Sequence, residues 1–376
     1  MRALSDQDIR DIANGSAVLG TGGGGDPYLG TLASLEASRI HGRPMLAEAE
    51  ELDDDATVIF PFIVGSPVPA VEKLPFGPEL TRVLEVLETF LGRRVDAVMS
   101  AEVGGMNSMI PIVLAAQTGR PVVDGDLMGR AYPEIQLTTL TMYGIGASPM
   151  ALGDERGNVA ILNMVDNFWV ERVARSTSVD FGAICVGAAY VITGRQAKDL
   201  TLRGTLSYAE RIGRLTRLAA DEKRDAIDAL LEATGGRALF HGKIVDVDRR
   251  TQSGWALGTA TLEGIADDAG RRMTVRFQNE NLVAEADCVV VASVPDLITV
   301  IDAGTGAAIT TEHLRYGFRV VVLGMACHPV WRTDVGLALG GPRHWGYEND
   351  YIPVGGEFPT AQLGWAEPTV AADSLG

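Results

Sequence analysis

Cysteine is scarce in this 376-residue chain: Cys185, Cys288 and Cys327 are widely spaced and form no CxxC pair. That spacing excludes a disulfide framework or a structural zinc ribbon and fits a reducing cytoplasm. Basic residues are outnumbered, 32 against 49 acidic ones, for a formal charge of −17. With no basic run to break that balance, a nucleic-acid or anionic-membrane surface is excluded. No apolar run approaches the ~20 residues that a membrane span needs. The opening Met1-Arg2-Ala3-Leu4-Ser5-Asp6 has no apolar signal core, so the expectation is a soluble, cytoplasmic protein. Histidines number five and fall in no HxH or HExxH arrangement. His41 and His241 read as surface residues, and His313 lies in a polar stretch. There is no internal repeat and no low-complexity segment. What remains, 46% hydrophobic and 22% charged residues, is a globular profile long enough for two cores.

Glycine is what the chain does concentrate. Gly20-Thr21-Gly22-Gly23-Gly24-Gly25-Asp26-Pro27 separates two helix-like segments. Such a run gives up backbone entropy at each position and is kept where bare backbone is needed. Before it, Ser5 can cap a helix to Leu19, with Ile9, Ile12 and Ala13 at helical spacing. After it, Asp26 can cap a helix that has Pro27 in its first turn and runs through about Ile40. The run therefore delivers free N–H groups to a helix N-terminus, a setting for an anion or a polarised carbonyl. A tight interhelical turn is the competing reading. A helix precedes the run and no Lys-Ser/Thr pair follows it, so it is neither of the usual nucleotide loops.

The pattern divides the chain into an α/β domain over 1–160 and a β-rich α+β domain over 161–329. In the first, Thr57–Val64, Val95–Ser100 and Arg120–Val123 read as strands. Leu80–Leu91 reads as a helix, and a second helix, capped by Asn107 or Ser108, runs through Thr118. This order implies a mostly parallel sheet with right-handed crossovers. Further on, Gly194–Leu202 reads as a turn with a short strand and Ser207–Thr234 as one long helix. Lys243–Val247, Gly254–Glu263, Met273–Phe277 and Cys288–Ala292 read as strands. The tail, 330–376, is expected to pack back over the first domain.

Two acidic motifs follow strands of the first domain. One is Ser100-Ala101-Glu102-Val103-Gly104-Gly105-Met106-Asn107. The other is Val123-Asp124-Gly125-Asp126, with Arg130 and Glu134 on the next turn. Ligands of open α/β sheets bind beyond the carboxyl ends of strands, so these loops and the glycine run are expected to share one crevice. Crowded carboxylates cannot all ionise freely, which suits proton transfer; oxygen ligation of a divalent cation is the other use. Asp124, Asp126, Glu102 and Glu134 are the catalytic candidates, and Thr21, Gly22, Gly23, Gly24, Gly25, Asn107 and Arg130 the substrate-binding ones. Asp124 and Asp126 capping turns or pairing with Arg130 is the plainer alternative, as is a surface or cap role for Glu134. Cys327 and His328, adjacent at the end of a strand, face opposite ways and form no nucleophile pair; Cys327 reads as a buried small hydrophobe. The aromatics of Trp331-Arg332-Thr333 and Gly341–Tyr347 suit either a ligand wall or a domain interface.

Gly20–Tyr28, Glu102–Asn107, Asp124–Glu134, Pro295-Asp296-Leu297-Ile298, Trp331-Arg332-Thr333 and Gly341-Pro342-Arg343 together resemble the S-methyl thiohydantoin desulfurase family in order and spacing over nearly the whole chain. The Cys327-His328 pair before Pro329 departs from the expected pattern. The resemblance implies an N-terminal α/β and a C-terminal β-rich domain. It also implies hydrolysis of a C–S bond on a five-membered, imide-like ring. It fixes neither the ring substituent nor a cofactor. A homo-oligomer and a hydantoinase/oxoprolinase-type partner are expectations of the same kind, and the alternative function is a non-catalytic ligand-binding subunit of such a complex.

Overall fold

The computed structural model describes residues 1–65, 77–252, 255–356 and 358. Most of the expected tail beyond Val354, and the first residue of the expected Gly254–Glu263 strand, lie outside the described residues. Among the described residues the strands run in chain order: β1 (Arg2–Ala3), β2 (Met45–Ala47), β3 (Thr57–Gly65), β4 (Ala97–Met99), β5 (Val122–Val123), β6 (Gly125–Asp126), β7 (Met150–Gly153), β8 (Val159–Leu162), β9 (Ile184–Thr193), β10 (Leu202–Arg203), β11 (Arg237–Gln252), β12 (Trp255–Gly264), β13 (Arg272–Gln278), β14 (Glu280–Ala286), β15 (Val289–Ser293), β16 (Leu297–Asp302) and β17 (Arg319–Met325).

The first sheet has the order β1-β2-β5-β4-β3-β9-β7-β8. Its central run, β2-β5-β4-β3, is parallel. That run is the crossover core expected from strand–helix–strand order. The remaining pairings, β1 with β2 and those that add β9, β7 and β8, are antiparallel. The second sheet is antiparallel throughout, in the order β15-β14-β13-β12-β11-β17-β16. It curls, so that Val294 N–H reaches Leu282 O at 2.7 Å and Asn281 Nδ2 reaches Ile298 O at 2.9 Å. Alternation along β13, with Met273, Val275 and Phe277 buried, turns one face of this sheet onto its own core. Among the described residues no helix is long and apolar enough to cross a membrane.

The two helices around the glycine run form for the reasons their caps give. Ser5 and Asp8 make a reciprocal capping box at the start of Asp6–Leu19. Asp26 accepts from Tyr28 N–H, and Pro27 opens Pro27–His41.

Four local expectations need correction. Asn107 and Ser108 do not cap the helix that ends at Thr118; it spans Ile110–Thr118 behind a 3₁₀ turn, because Asn107 is committed to other strands and Ser108 Oγ donates to Gly105 O. Gly194–Leu200 is a helix, started by a Thr193–Gln196 capping box. The long helix is two, Thr205–Asp221 and Ala226–Thr234, broken where Lys223 takes φ +57° and Asp225 caps the second. Finally, the segment around β9 joins the first sheet through β3, and Thr205–Asp221 packs on Asp6–Leu19, so the second sheet begins only at β11.

That last helix pair touches backbone to backbone. A Cβ on Gly15 would lie 1.8 Å from Ala209 O, and one on Gly213 2.0 Å from Asp11 O. Asp11 then holds Arg217 with two hydrogen bonds of 2.9 Å across the contact. Gly15→Ala gains about 1 kcal/mol of helix propensity, but it forces the helices apart. The expected result is net destabilisation of about 1–3 kcal/mol by denaturant unfolding; a stabilised variant contradicts the packing.

Candidate active site at the glycine-run junction

The glycine run is welded to both sheets. Gly24 O accepts from Met106 N–H at 2.9 Å on one side. On the other, Thr21 O accepts from Asn281 N–H at 2.7 Å and Gly22 O from Thr311 N–H at 2.8 Å. Thr21, Gly22, Gly24 and Gly25 all have positive φ, between 50° and 86°, conformations that a Cβ disfavours. At Gly23 the constraint is space: a Cβ would lie 1.9 Å from Glu280 Oε1. An acceptor for the run comes from within the chain, since Gly24 N–H donates to that same Glu280 oxygen at 3.2 Å.

Beside the run opens a cleft whose walls come from both sheets. Gly23, Gly24 and Gly25 line it with Glu102, Asn107 and Glu134, and the second sheet adds Ala256, Asn279 and Glu280. Glu102 follows β4 and is buried. Its Oε1 accepts from Asn107 Nδ2 at 2.7 Å and its Oε2 from Tyr132 N–H at 3.1 Å. The orientation of the Asn107 amide is fixed by β3, where Ile63 N–H donates to Asn107 Oδ1 at 2.7 Å. Burial raises the Glu102 carboxyl to about 8, against the pull of these hydrogen bonds and of Arg130. Burial also raises Glu280 well above the carboxylate range, and the like charge of Glu102 adds to it. Glu280 Oε2 is buried with no hydrogen-bond partner. Two coupled carboxyls, both reluctant to ionise, thus face one cleft.

The Asp124–Glu134 segment enters the cleft only through its later part, with Met128, Tyr132 and Glu134 among the lining residues. Glu134 is half-buried and shares Oε2 between Gln136 and His344. Asp124, Asp126, Arg130, Thr21 and Gly22 do not line it, a correction to the expected shared crevice. Asp124 is spent on the start of Thr205–Asp221, accepting from Leu206 N–H, Ser207 N–H and the Ser207 hydroxyl. Asp126 Oδ2 accepts from Val103, Met128 and Gly129 N–H groups, and burial raises its carboxyl to about 7. Both aspartates bind backbone, as the plainer reading of them has it. Cys327 is buried, as is His328, whose ring burial depresses to about 3. Trp331 donates to Met128 O at 2.7 Å and stacks on Tyr132 behind the cleft.

Glu280 was missed by sequence reasoning. The available signal was a glutamate in the polar string Gln278-Asn279-Glu280-Asn281 at the turn from β13 into β14.

Two family models divide the chain between them: the S-Me-THD-like N-terminal domain over residues 7–164 and the S-Me-THD-like C-terminal domain over 165–354. The chain belongs to the S-Me-THD-like family. No curated protein matches it. A crystal structure of a protein from Chromobacterium violaceum is similar in fold, with a TM-score of 0.78 at 23% identity, covering 94% of this chain and 100% of that one. In this S-Me-THD-like chain the 164/165 model boundary falls inside the first sheet, which takes β9 from the C-terminal part.

Asp124 sets a test of the scaffold. Asp124→Ala removes the acceptor for the first turn of Thr205–Asp221 and is expected to cost about 1–2 kcal/mol of stability while ligand affinity of the cleft stays unchanged. Denaturant unfolding and ligand titration of the same variant check this; unchanged stability with lost binding contradicts it.

Proposed function

We propose that the cleft hydrolyses the C–S bond of an S-alkyl thiohydantoin-like ring, releasing the thiol and leaving a hydantoin. The observation that carries the reading is the Glu102–Glu280 pair: two buried carboxyls with raised proton affinity that line one cleft. The family supplies the substrate class.

In such a pair Glu102 ionises as pH approaches its raised value of about 8, and its charge helps Glu280 keep its proton, so that a base and an acid stand together. The ionised member takes a proton from water as the water oxygen bonds to the ring carbon bearing sulfur. The neutral member gives its proton to the ring nitrogen. When the C–S bond breaks, the water oxygen becomes the ring carbonyl, and its remaining hydrogen leaves on sulfur as the thiol. Asn107 holds Glu102 in register, and the backbone at Gly25 offers a hydrogen-bond donor to the ring oxygen. A metal-activated water fits less well. Among the described residues no group of three or more His, Cys, Asp or Glu side chains is placed to hold an ion. Asp124 and Asp126 take scaffold roles in this reading, in place of the base role first given to them.

Thiol release from an S-methyl thiohydantoin tests the proposal. Glu102→Gln and Glu280→Gln are each expected to lower kcat by about 10²- to 10⁴-fold while the fold persists. Glu102 is the member that ionises while Glu280 keeps its proton, so the base form is gained and kcat/KM rises as pH rises through about 8. Tight ring binding without turnover contradicts catalysis and favours a ligand-binding subunit of a hydantoinase/oxoprolinase-type complex.

A further inference from the structure

Arg130 is fully buried and ends in five neutral acceptors. Its Nε donates to Ala131 O at 2.9 Å, and its Nη1 to Pro295 O at 2.8 Å and Asp296 O at 3.0 Å. Its Nη2 donates to Thr21 Oγ1 at 2.9 Å and Asn281 O at 3.5 Å. Among the described residues no carboxylate touches it. A cation out of water with only neutral partners is costly unless a counter-charge lies close by. The partners of Arg130 show where that charge sits. Asn281 follows Glu280 in β14, and Thr21 leads into the run whose Gly24 N–H holds Glu280. The guanidinium stacks 4.6 Å over the Tyr132 ring, and Tyr132 N–H holds Glu102.

The other ionisable groups around it are accounted for. The Asp296 carboxylate is paired with Arg332 at 3.0 Å. Asp126, which faces Glu102, is held by three backbone N–H groups. Burial keeps Tyr132 and Cys327 in their neutral forms.

We infer that Arg130 is the counter-charge of the Glu102–Glu280 pair, a positioning residue that makes one ionised member tolerable in a dry site. For its catalytic meaning the inference rests on the hydrolytic reading of this cleft. One cation against two carboxyls that share one proton leaves the cluster neutral. Without the cation the second proton is retained and the base is lost. Consistent with this, the field of Arg130 opposes the burial that raises both glutamates.

Carboxyl ¹³C NMR of glutamate-labelled full-length protein tests this without substrate, so an absence of turnover leaves the result interpretable. Glu102→Gln and Glu280→Gln assign the two signals. In Arg130→Gln the Glu102 midpoint is expected to rise by about one pH unit above its wild-type value, and in Arg130→Lys, which keeps the charge, to return to it. A folded Arg130→Gln with wild-type midpoints overturns the inference. So does an Arg130→Lys that shifts as far as Arg130→Gln. Should Arg130→Gln not fold, the wild-type protein decides: the Arg130 side-chain ¹⁵N signals, assigned by their loss in Arg130→Lys, are expected to move with the Glu102 midpoint, and signals that stay flat across it overturn the inference.

Discussion

The carboxylate of Glu280 occupies the space where Gly23 would carry a side chain. That approach, 1.9 Å from the position of the missing Cβ, joins the second sheet to the first and creates the cleft. Around it, every local choice serves closeness. Positive φ at Gly22, Gly24 and Gly25 turns the chain between its two helices, and Gly104 and Gly105 leave room for the run on the far side. Replacing backbone contacts by side chains here strains the turn and separates the sheets together.

Closeness excludes water, and exclusion sets the electrostatics. Glu102, Glu280 and Asp126 all hold their protons more tightly than carboxyls in water, chiefly through burial. For the fold this runs in one direction. Each group raised in the folded state contributes stability that is complete below the unfolded value and lost as pH rises through the folded one. The window extends from the ordinary carboxylate range up to about 8 for Glu102. In the proposed chemistry the same cost is useful, because it brings carboxyl titration up to about 8, where an acid and a base can stand together. Arg130, with all its donors on neutral oxygens, keeps the cost finite.

Much of the frame was legible in the sequence because its signals are local. Ser5 and Asp26 announce helix starts, and the continuous apolar run Thr57–Val64 announces a strand buried on both faces. The misreadings share a cause. A single residue, Lys223 at φ +57°, breaks a pattern that remains helical on either side, and the Thr193–Gln196 box starts a helix too short to show periodicity. At the site, Glu102, Asn107 and Gly23–Gly25 were visible as polar or bare backbone at strand ends. Glu280 arrives from 256 residues away, and no spacing within the chain encodes that meeting. Asp124 and Asp126 drew attention for their charge, whereas Asp124 Oδ1 and Asp126 Oδ2 accept from backbone N–H groups.

The central claim is one proton held between two glutamates across the sheet junction. Neutron diffraction from deuterated crystals held above pH 8, where Glu102 ionises, observes that proton directly. The account predicts a single deuteron on the Glu102–Glu280 pair, with Asn107 Nδ2 donating to Glu102 Oε1. Two fully ionised carboxylates, or a deuteron on each, would contradict it.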